Sequence, residues 1–178
     1  MKKSIFDLSI IAIFTGIIFS VEQVLAFIPN IQLTVFLMIL YTRVLGFKKT
    51  LFIAVLHTLM DNIYNGTLMV HMVIPMMMGW SLIPILLSTI FKKFESAISL
   101  ASFAFLFGFI YGIIFIPFAS YTFGYPIGIY FLNDLPFEFM MAISGALSVG
   151  VLYQPIYIIL NKELSYYQLL GDKRYSSI

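Results

Sequence analysis

A polar stripe in the third hydrophobic segment is the feature of this sequence best suited to binding a solute. His57, Asp61 and Asn65 recur every four residues, with Asn62 beside them, so a helix would present them on one face. A carboxylate facing lipid is costly, and we therefore expect this face to point into a helix bundle. There it could bind a ligand, or it could form an internal hydrogen-bond network that only fixes the packing.

Other polar side chains are predicted to join this stripe near one end of the hydrophobic segments. Those expected within about a turn or two of that end are Glu22, Gln23, Gln32, His71, Asn133, Asp134 and Glu138. Because no Lys or Arg accompanies them, a neutral or cationic, nitrogen-rich ligand fits better than a phosphate or carboxylate. Two aromatic residues, Trp80 and Tyr111, are expected to fill the bundle rather than stack on a ligand.

Metal and enzyme chemistry find little support in the sequence. A metal site built from His57, Asp61, His71 and Glu138 is conceivable, but none of these residues has the His-Glu-x-x-His spacing of a known motif. The chain has no Cys, no nucleophile elbow and no phosphate-binding P-loop. We therefore expect a protein that is not an enzyme, needs no cofactor and cannot hydrolyse ATP by itself.

The elements that must position these residues are membrane helices. The chain has 178 residues, of which 61% are hydrophobic and 10% charged, and its mean hydropathy is +1.02. A membrane span needs about 20 mostly apolar residues. The predicted spans are Ile5–Phe27, Ile31–Gly46, Thr50–Asn65, Leu68–Phe91, Ala97–Ala119 and Leu135–Leu160. They leave no room for another domain, so residues 1–178 are expected to form one transmembrane substrate-binding domain.

The charges fix the expected orientation of these spans. All ten Lys and Arg residues lie beside the termini or the even-numbered junctions, whereas Glu22, Asp61, Asp134 and Glu138 lie at the opposite end. Short loops rich in Lys and Arg remain cytoplasmic. The predicted fold class is therefore an all-α integral membrane protein of the cell (plasma) membrane, with six transmembrane helices and both termini inside.

The segment between the last two spans is predicted to fold over the site as a lid. Ser120–Leu132 contains Tyr121, Tyr125 and Tyr130 together with Gly124, Pro126 and Gly128, a composition typical of a functional loop. Tyr125 is accordingly a candidate ligand contact. Asn133 or Asp134 is predicted to cap the sixth helix.

A row of small residues marks one face of the first span. Ala12, Gly16 and Ser20 recur every four residues, and such a row lets another helix approach closely. The partner could be a helix of the same bundle, or it could be a different protein.

Taken over the whole chain, the sequence resembles the substrate-binding S components of energy-coupling factor (ECF) vitamin transporters. The resemblance rests on six spans in under 200 residues, the small-residue row, and a sixth span running from Leu135-Pro136-Phe137-Glu138 through Ser144-Gly145 to Gln154-Pro155. It implies that a vitamin-like molecule binds near the outer surface. It also implies that the row docks onto a transmembrane coupling subunit served by two ATPase subunits.

The start of the chain argues against one subgroup of this family. The chain begins Met1-Lys2 and so lacks the Met-His start of the cobalt and nickel members. An alternative function is a membrane scaffold similar to the MreD proteins of cell-wall elongation, which match in size and number of spans. A scaffold needs neither a polar pocket nor a lid, and this favours the transporter subunit.

Overall fold

The computed structural model describes residues 5–28 and 33–175, with side chains as far as residue 166, and every regular element in this part of the chain is an α-helix. The helices are α1 (Ile5–Leu25), α2 (Thr34–Leu45), α3 (Phe47–Tyr64), α4 (Val70–Ser88), α5 (Ala97–Phe123) and α6 (Ile127–Tyr175). Four of them, α1, α4, α5 and α6, are long and apolar enough to cross a membrane. The fold is thus a helical bundle with the character of a membrane protein.

The shortest helix, α2, is the centre of the bundle. Its residues from Thr34 to Thr42 are buried without interruption, and it contacts each of the other five helices. Around it the neighbours follow the order α1, α3, α4, α5 and α6, and within the described residues α1 and α6 do not touch each other. A helix that is apolar on all sides is stable only when it is enclosed, which explains its position.

Glycines let the outer helices approach one another closely. A Cβ atom at Gly108 of α5 would lie 2.7 Å from the backbone of Ala142 in α6, and one at Gly79 of α4 would lie 2.5 Å from the ring of Tyr111. Side chains at these points would force the helices apart, as is usual where helices pack in membranes. The contact between α5 and α6, which are antiparallel, is the most extensive in the molecule.

Contacts between charged groups and loops hold the end of the bundle that carries the Lys and Arg residues, here called the basic end. Lys49 of α3 pairs with Asp7 of α1 at 2.6 Å. The guanidinium of Arg43, near the end of α2, donates to the carbonyl oxygen of Phe91 at 3.0 Å and more weakly to that of Lys92 at 3.4 Å. The opposite end, where α1 ends and a short connection joins α3 to α4, is called the acidic end.

The prediction of a long loop between the last two spans is wrong. α5 continues to Phe123, and only Gly124, Tyr125 and Pro126 separate it from α6. Gly124 has φ +70°, a left-handed conformation that ends a helix at little cost. Pro126, directly before α6, suits the start of a helix. The glycine and proline that suggested a long loop therefore form one tight turn.

Several helices also begin or end at residues other than those predicted. α6 starts eight residues before Leu135 and continues to Tyr175, beyond the predicted end at Leu160, so Asn133 and Asp134 lie inside it and do not cap it. α4 passes through both Pro75 and Pro84. α2 has only 12 residues, and the predicted start of its span at Ile31 lies outside the described residues, as do Pro29, Asn30 and Gln32.

Candidate binding site

An acid and a histidine meet between α1 and α3. Oε2 of Glu22 lies 2.7 Å from Nε2 of His57, within ion-pair distance, although the ring nitrogen makes no hydrogen bond of good geometry. Thr34, at the start of α2, donates its hydroxyl proton to the same oxygen at 3.1 Å. The His57 side chain is fully buried. Glu22 thus joins three helices through one carboxylate oxygen.

A second carboxylate lies one turn farther along α3. Oδ1 of Asp61 accepts a hydrogen bond from the side-chain amide of Gln23 at 2.8 Å, and another from that of Asn65 at 2.8 Å. The residue is 9% exposed. The predicted polar face of α3 does point into the bundle, and α1 supplies its partners.

Asn62 belongs to a separate network that holds the connection between α3 and α4. Its amide donates to the carbonyl of Thr58 at 2.9 Å and to the sulfur of Met76 at 3.1 Å. Its oxygen accepts from the hydroxyl of Thr67 at 3.0 Å. Both ends of the amide are satisfied within the protein, so these contacts give Asn62 a structural role.

Aromatic rings of α4 and α5 lie beside His57. The ring centroids of Trp80 and Tyr111 are 4.6 Å apart, and those of Tyr111 and Phe115 are 4.9 Å apart. Trp80 also lies 6.2 Å from the ring of His57 and is 1% exposed. Its indole N–H has no hydrogen-bond partner in the part of the chain that the structure describes. A buried donor without a partner is uncommon in proteins and calls for an explanation.

A third carboxylate approaches from α6. The carboxyl group of Glu138 lies where a side chain at Gly112 would be, since a Cβ atom there would come within 2.4 Å of its Cδ. Its Oε2 is buried and has no partner among the described residues, and Asp134 interacts with the carboxyl group from one turn away. Glu138 therefore presents one engaged and one free oxygen.

A chain of contacts connects these groups. Glu22 lies beside His57, whose ring centroid is 6.2 Å from that of Trp80. Trp80 packs on Tyr111, and Glu138 lies against Gly112, the residue that follows Tyr111. We call Glu22, His57, Asp61, Trp80, Tyr111 and Glu138 the acidic–aromatic site.

The residues of this site lie at different distances from the ends of their helices. Glu22 and Asp61 are each three residues, about 5 Å, from the ends of α1 and α3. Trp80 is ten residues from the start of α4 and Glu138 eleven from the start of α6, about 15–17 Å. Glu138 lies farther along its helix than the predicted start at Leu135 implied, because α6 begins at Ile127.

Two predicted contacts lie apart from the site. His71 is in the first turn of α4, where its ring packs edge-on to that of Phe123 at 5.9 Å. It borders an apolar groove of about 660 Å³ between α4 and the end of α5. Tyr125 lies in the tight turn and is 59% exposed. Neither residue makes a recorded contact with the acidic–aromatic site, and the turn is too short to cover it.

The small-residue row on α1 faces away from the bundle. Ala12 and Ser20 are exposed and Gly16 is partly exposed, whereas the buried residues Ile11, Phe14 and Ile18 lie on the opposite side. A Cβ atom at Gly16 would meet no atom within 4 Å. Within the described residues the row therefore does not pack against another helix of this bundle, and that interpretation of the row is wrong.

Comparison with known proteins adds no relative. No family model, curated protein or solved structure matches the chain. The functional argument consequently rests on the acidic–aromatic site and on the exposed faces of the helices.

The chemistry available in this site is recognition by hydrogen bonds, charge and stacking. Among the described residues, no three His, Asp or Glu side chains come together as a metal site would require. From the sequence, Trp80 and Tyr111 are predicted only to pack inside the bundle, and Gly79 and Gly112 are not among the predicted site residues. The available signal was the presence of Gly79 and Gly112 inside apolar spans, because glycines at helix interfaces let membrane helices approach closely.

Proposed function

We propose that this protein is the substrate-capture subunit of an ECF-type uptake transporter in a bacterial plasma membrane. The observation that carries the proposal is the acidic–aromatic site itself. It places three carboxylates, a fully buried histidine and an indole N–H that has no partner among the described residues inside a largely apolar bundle. Ionisable groups inside membrane bundles are costly and commonly mark the path or site of a solute.

In this proposal all six helices cross the bilayer, with both termini in the cytoplasm and the acidic end outside. α2 is about 18 Å long and α3 about 27 Å at 1.5 Å per residue, which is less than the bilayer core of about 30 Å. The central position of α2 supports a crossing by so short a helix, since surrounding protein rather than lipid encloses its ends. The charge asymmetry supports the orientation.

The site favours a neutral or cationic vitamin or vitamin precursor over an anionic one. Its only basic group is His57, which already lies beside Glu22. A carboxylate ligand would therefore lose its hydration beside other acids, with no Lys or Arg at the site to offset its charge.

The outward-facing row on α1 supports the second half of the proposal, docking to a membrane partner. Ala12, Gly16 and Ser20 leave a shallow, continuous face on which the helix of a coupling subunit could pack closely. Two ATPase subunits bound to that partner would supply the energy, because the chain has no nucleotide-binding motif of its own.

Native mass spectrometry of the detergent-solubilised protein tests the capture function. We expect a small molecule to co-purify with the wild-type chain and to be lost from Glu138→Gln. The change Glu163→Gln, in the exposed final part of α6, is the matched control and should retain the molecule. A chain that retains nothing, and binds nothing from a mixture of vitamins and precursors, would instead favour the scaffold function.

A further inference from the structure

A groove on the flank of the bundle opens between the start of α4 and the end of α5. Its volume is about 660 Å³, within the range of about 300–1,000 Å³ that is typical of sites for organic molecules. The residues that line it are Val70, His71, Pro117, Phe118, Tyr121 and Thr122. None of them is an acid, and none belongs to the acidic–aromatic site. The groove is therefore a separate candidate site with a different chemistry.

The groove runs from the level of the lipid headgroups into the hydrocarbon. α5 has 27 residues and is about 40 Å long, whereas the hydrocarbon core of a bilayer is about 30 Å thick. With α5 centred in the bilayer, its last turn, which carries Tyr121 and Thr122, lies among the headgroups. Pro117 is six residues, about 9 Å, from the end of α5 and thus lies within the hydrocarbon.

Polar side chains of the groove gather at its headgroup end. The ring of His71 lies 5.9 Å from that of Phe123, the last residue of α5, and is therefore level with Tyr121 and Thr122. An imidazole has an N–H donor even when it is neutral, and each hydroxyl can donate as well. Tyr121 is 92% exposed, and tyrosine is typical of the boundary between membrane and water.

We propose that this groove binds one phospholipid of the surrounding leaflet. An acyl chain lies along Pro117 and Phe118, and the phosphate accepts hydrogen bonds from His71 and Thr122 at the headgroup end. A groove open to the bilayer at this depth meets lipid chains rather than water. The phosphate suits the donors, and no acid in the lining repels its charge.

The proposal requires only that α4 and α5 cross a bilayer, so it does not depend on the capture function. A lipid in this groove would hold the first turn of α4 against the last turn of α5. The acidic–aromatic site would keep its own ligand, because the two sites share no residue.

Three compounds separate the two parts of this recognition. Dioleoyl phosphatidylglycerol has chains and a phosphate, dioleoylglycerol has the chains alone, and glycerol 3-phosphate has the phosphate alone. Each is titrated into the purified full-length protein and its binding is followed by native mass spectrometry. We expect one phosphatidylglycerol to bind about threefold to tenfold more tightly than dioleoylglycerol, the effect of one hydrogen bond. Glycerol 3-phosphate should not bind in the same range.

Variants of the lining place the lipid in this groove. His71→Phe keeps a ring beside Phe123 but has no N–H, and it should lower the affinity for phosphatidylglycerol to that for dioleoylglycerol. Val70→Trp adds bulk to the groove and should weaken the binding of both lipids. If Val70→Trp does not fold, Thr122→Trp fills the groove from α5. The control is Leu147→Trp on the exposed face of α6, which should bind both lipids as the wild type does.

Three results would overturn the proposal. Unchanged lipid binding in the variants that fill the groove would place the lipid elsewhere. Equal affinities for the two lipids, or equally tight binding of glycerol 3-phosphate, would show that chain and phosphate are not recognised together. A dimer that forms without lipid and is lost in Val70→Trp would make the groove an interface between two copies of the chain. The capture function is unaffected by each result, because its test is a small molecule retained through Glu138.

Discussion

Nε2 of the buried His57 lies 2.7 Å from Oε2 of Glu22, and this contact ties α1 to the rest of the bundle. Within the described residues α1 touches only α2 and α3, so few contacts hold it in place. Three of its recorded side-chain contacts to them, those of Glu22 with His57 and Thr34 and that of Gln23 with Asp61, lie at the acidic–aromatic site. A ligand that engages these acids would therefore act on the placement of α1, whose opposite face carries the small-residue row.

Removing the histidine should destabilise the bundle. In the variant His57→Ala the Glu22 carboxylate keeps the hydroxyl of Thr34 as a hydrogen-bond donor but loses its contact with the ring. Breaking a buried pair in this way typically costs about 3–5 kcal/mol of the free energy of unfolding. The free energy of unfolding in mixed detergent micelles measures the effect. His71→Ala is the control, because His71 is partly exposed and its ring packs edge-on to that of Phe123, away from Glu22. Equal losses for the two variants would show that the pair with Glu22 contributes nothing.

A side chain at Gly112 should disturb the site from the side of α5. In Gly112→Ala the new Cβ atom would clash with the end of the Glu138 side chain. This side chain can move to another conformation, so we expect a loss of about 0.5–1.5 kcal/mol in the free energy of unfolding together with weaker ligand binding.

The matched control for this change is Gly150→Ala in α6, where a Cβ atom would meet nothing within 4 Å. Its unfolding free energy should change by less than about 1 kcal/mol, and ligand binding should persist. Unaltered binding in Gly112→Ala would show that Glu138 does not contact the ligand.

Replacing Gly16 should separate partner docking from ligand capture. In Gly16→Leu the side chain would project from the exposed face of α1 into open space. Folding and ligand binding of the isolated chain should persist, while uptake by cells that contain the coupling module should be abolished, because the partner helix is held away.

Gly150→Leu provides the comparison for Gly16→Leu. It adds the same bulk at another exposed position and should leave uptake intact. If Gly16→Leu loses binding and uptake together, the row supports the fold and not a partner.

The orientation can be read from cysteine labelling, since the natural chain contains no Cys. Tyr125→Cys places a thiol in the exposed turn between α5 and α6, and an impermeant maleimide should label it in intact cells. Lys162→Cys, at the basic end, should react only after the membrane is opened. The reverse pattern would place the acidic end in the cytoplasm.

The sequence alone determined the helical class, the number of helices and the inward direction of the polar face of α3. These properties follow from local patterns: long apolar segments predict membrane helices, and a carboxylate such as Asp61 must avoid lipid. The separation of acids from bases also lies in the sequence, because it depends only on which helix ends carry the charges.

Only the tertiary structure decided which residues meet. Gln23 and Asp61 are 38 positions apart, yet they share a 2.8 Å hydrogen bond. Trp80 adjoins Tyr111 because Gly79 lets α4 and α5 approach, and Glu138 reaches the site because Gly112 leaves space for its carboxyl group. Such contacts depend on the lateral order and rotation of the helices. Those are set by packing around α2, which the periodicity of a single helix does not encode.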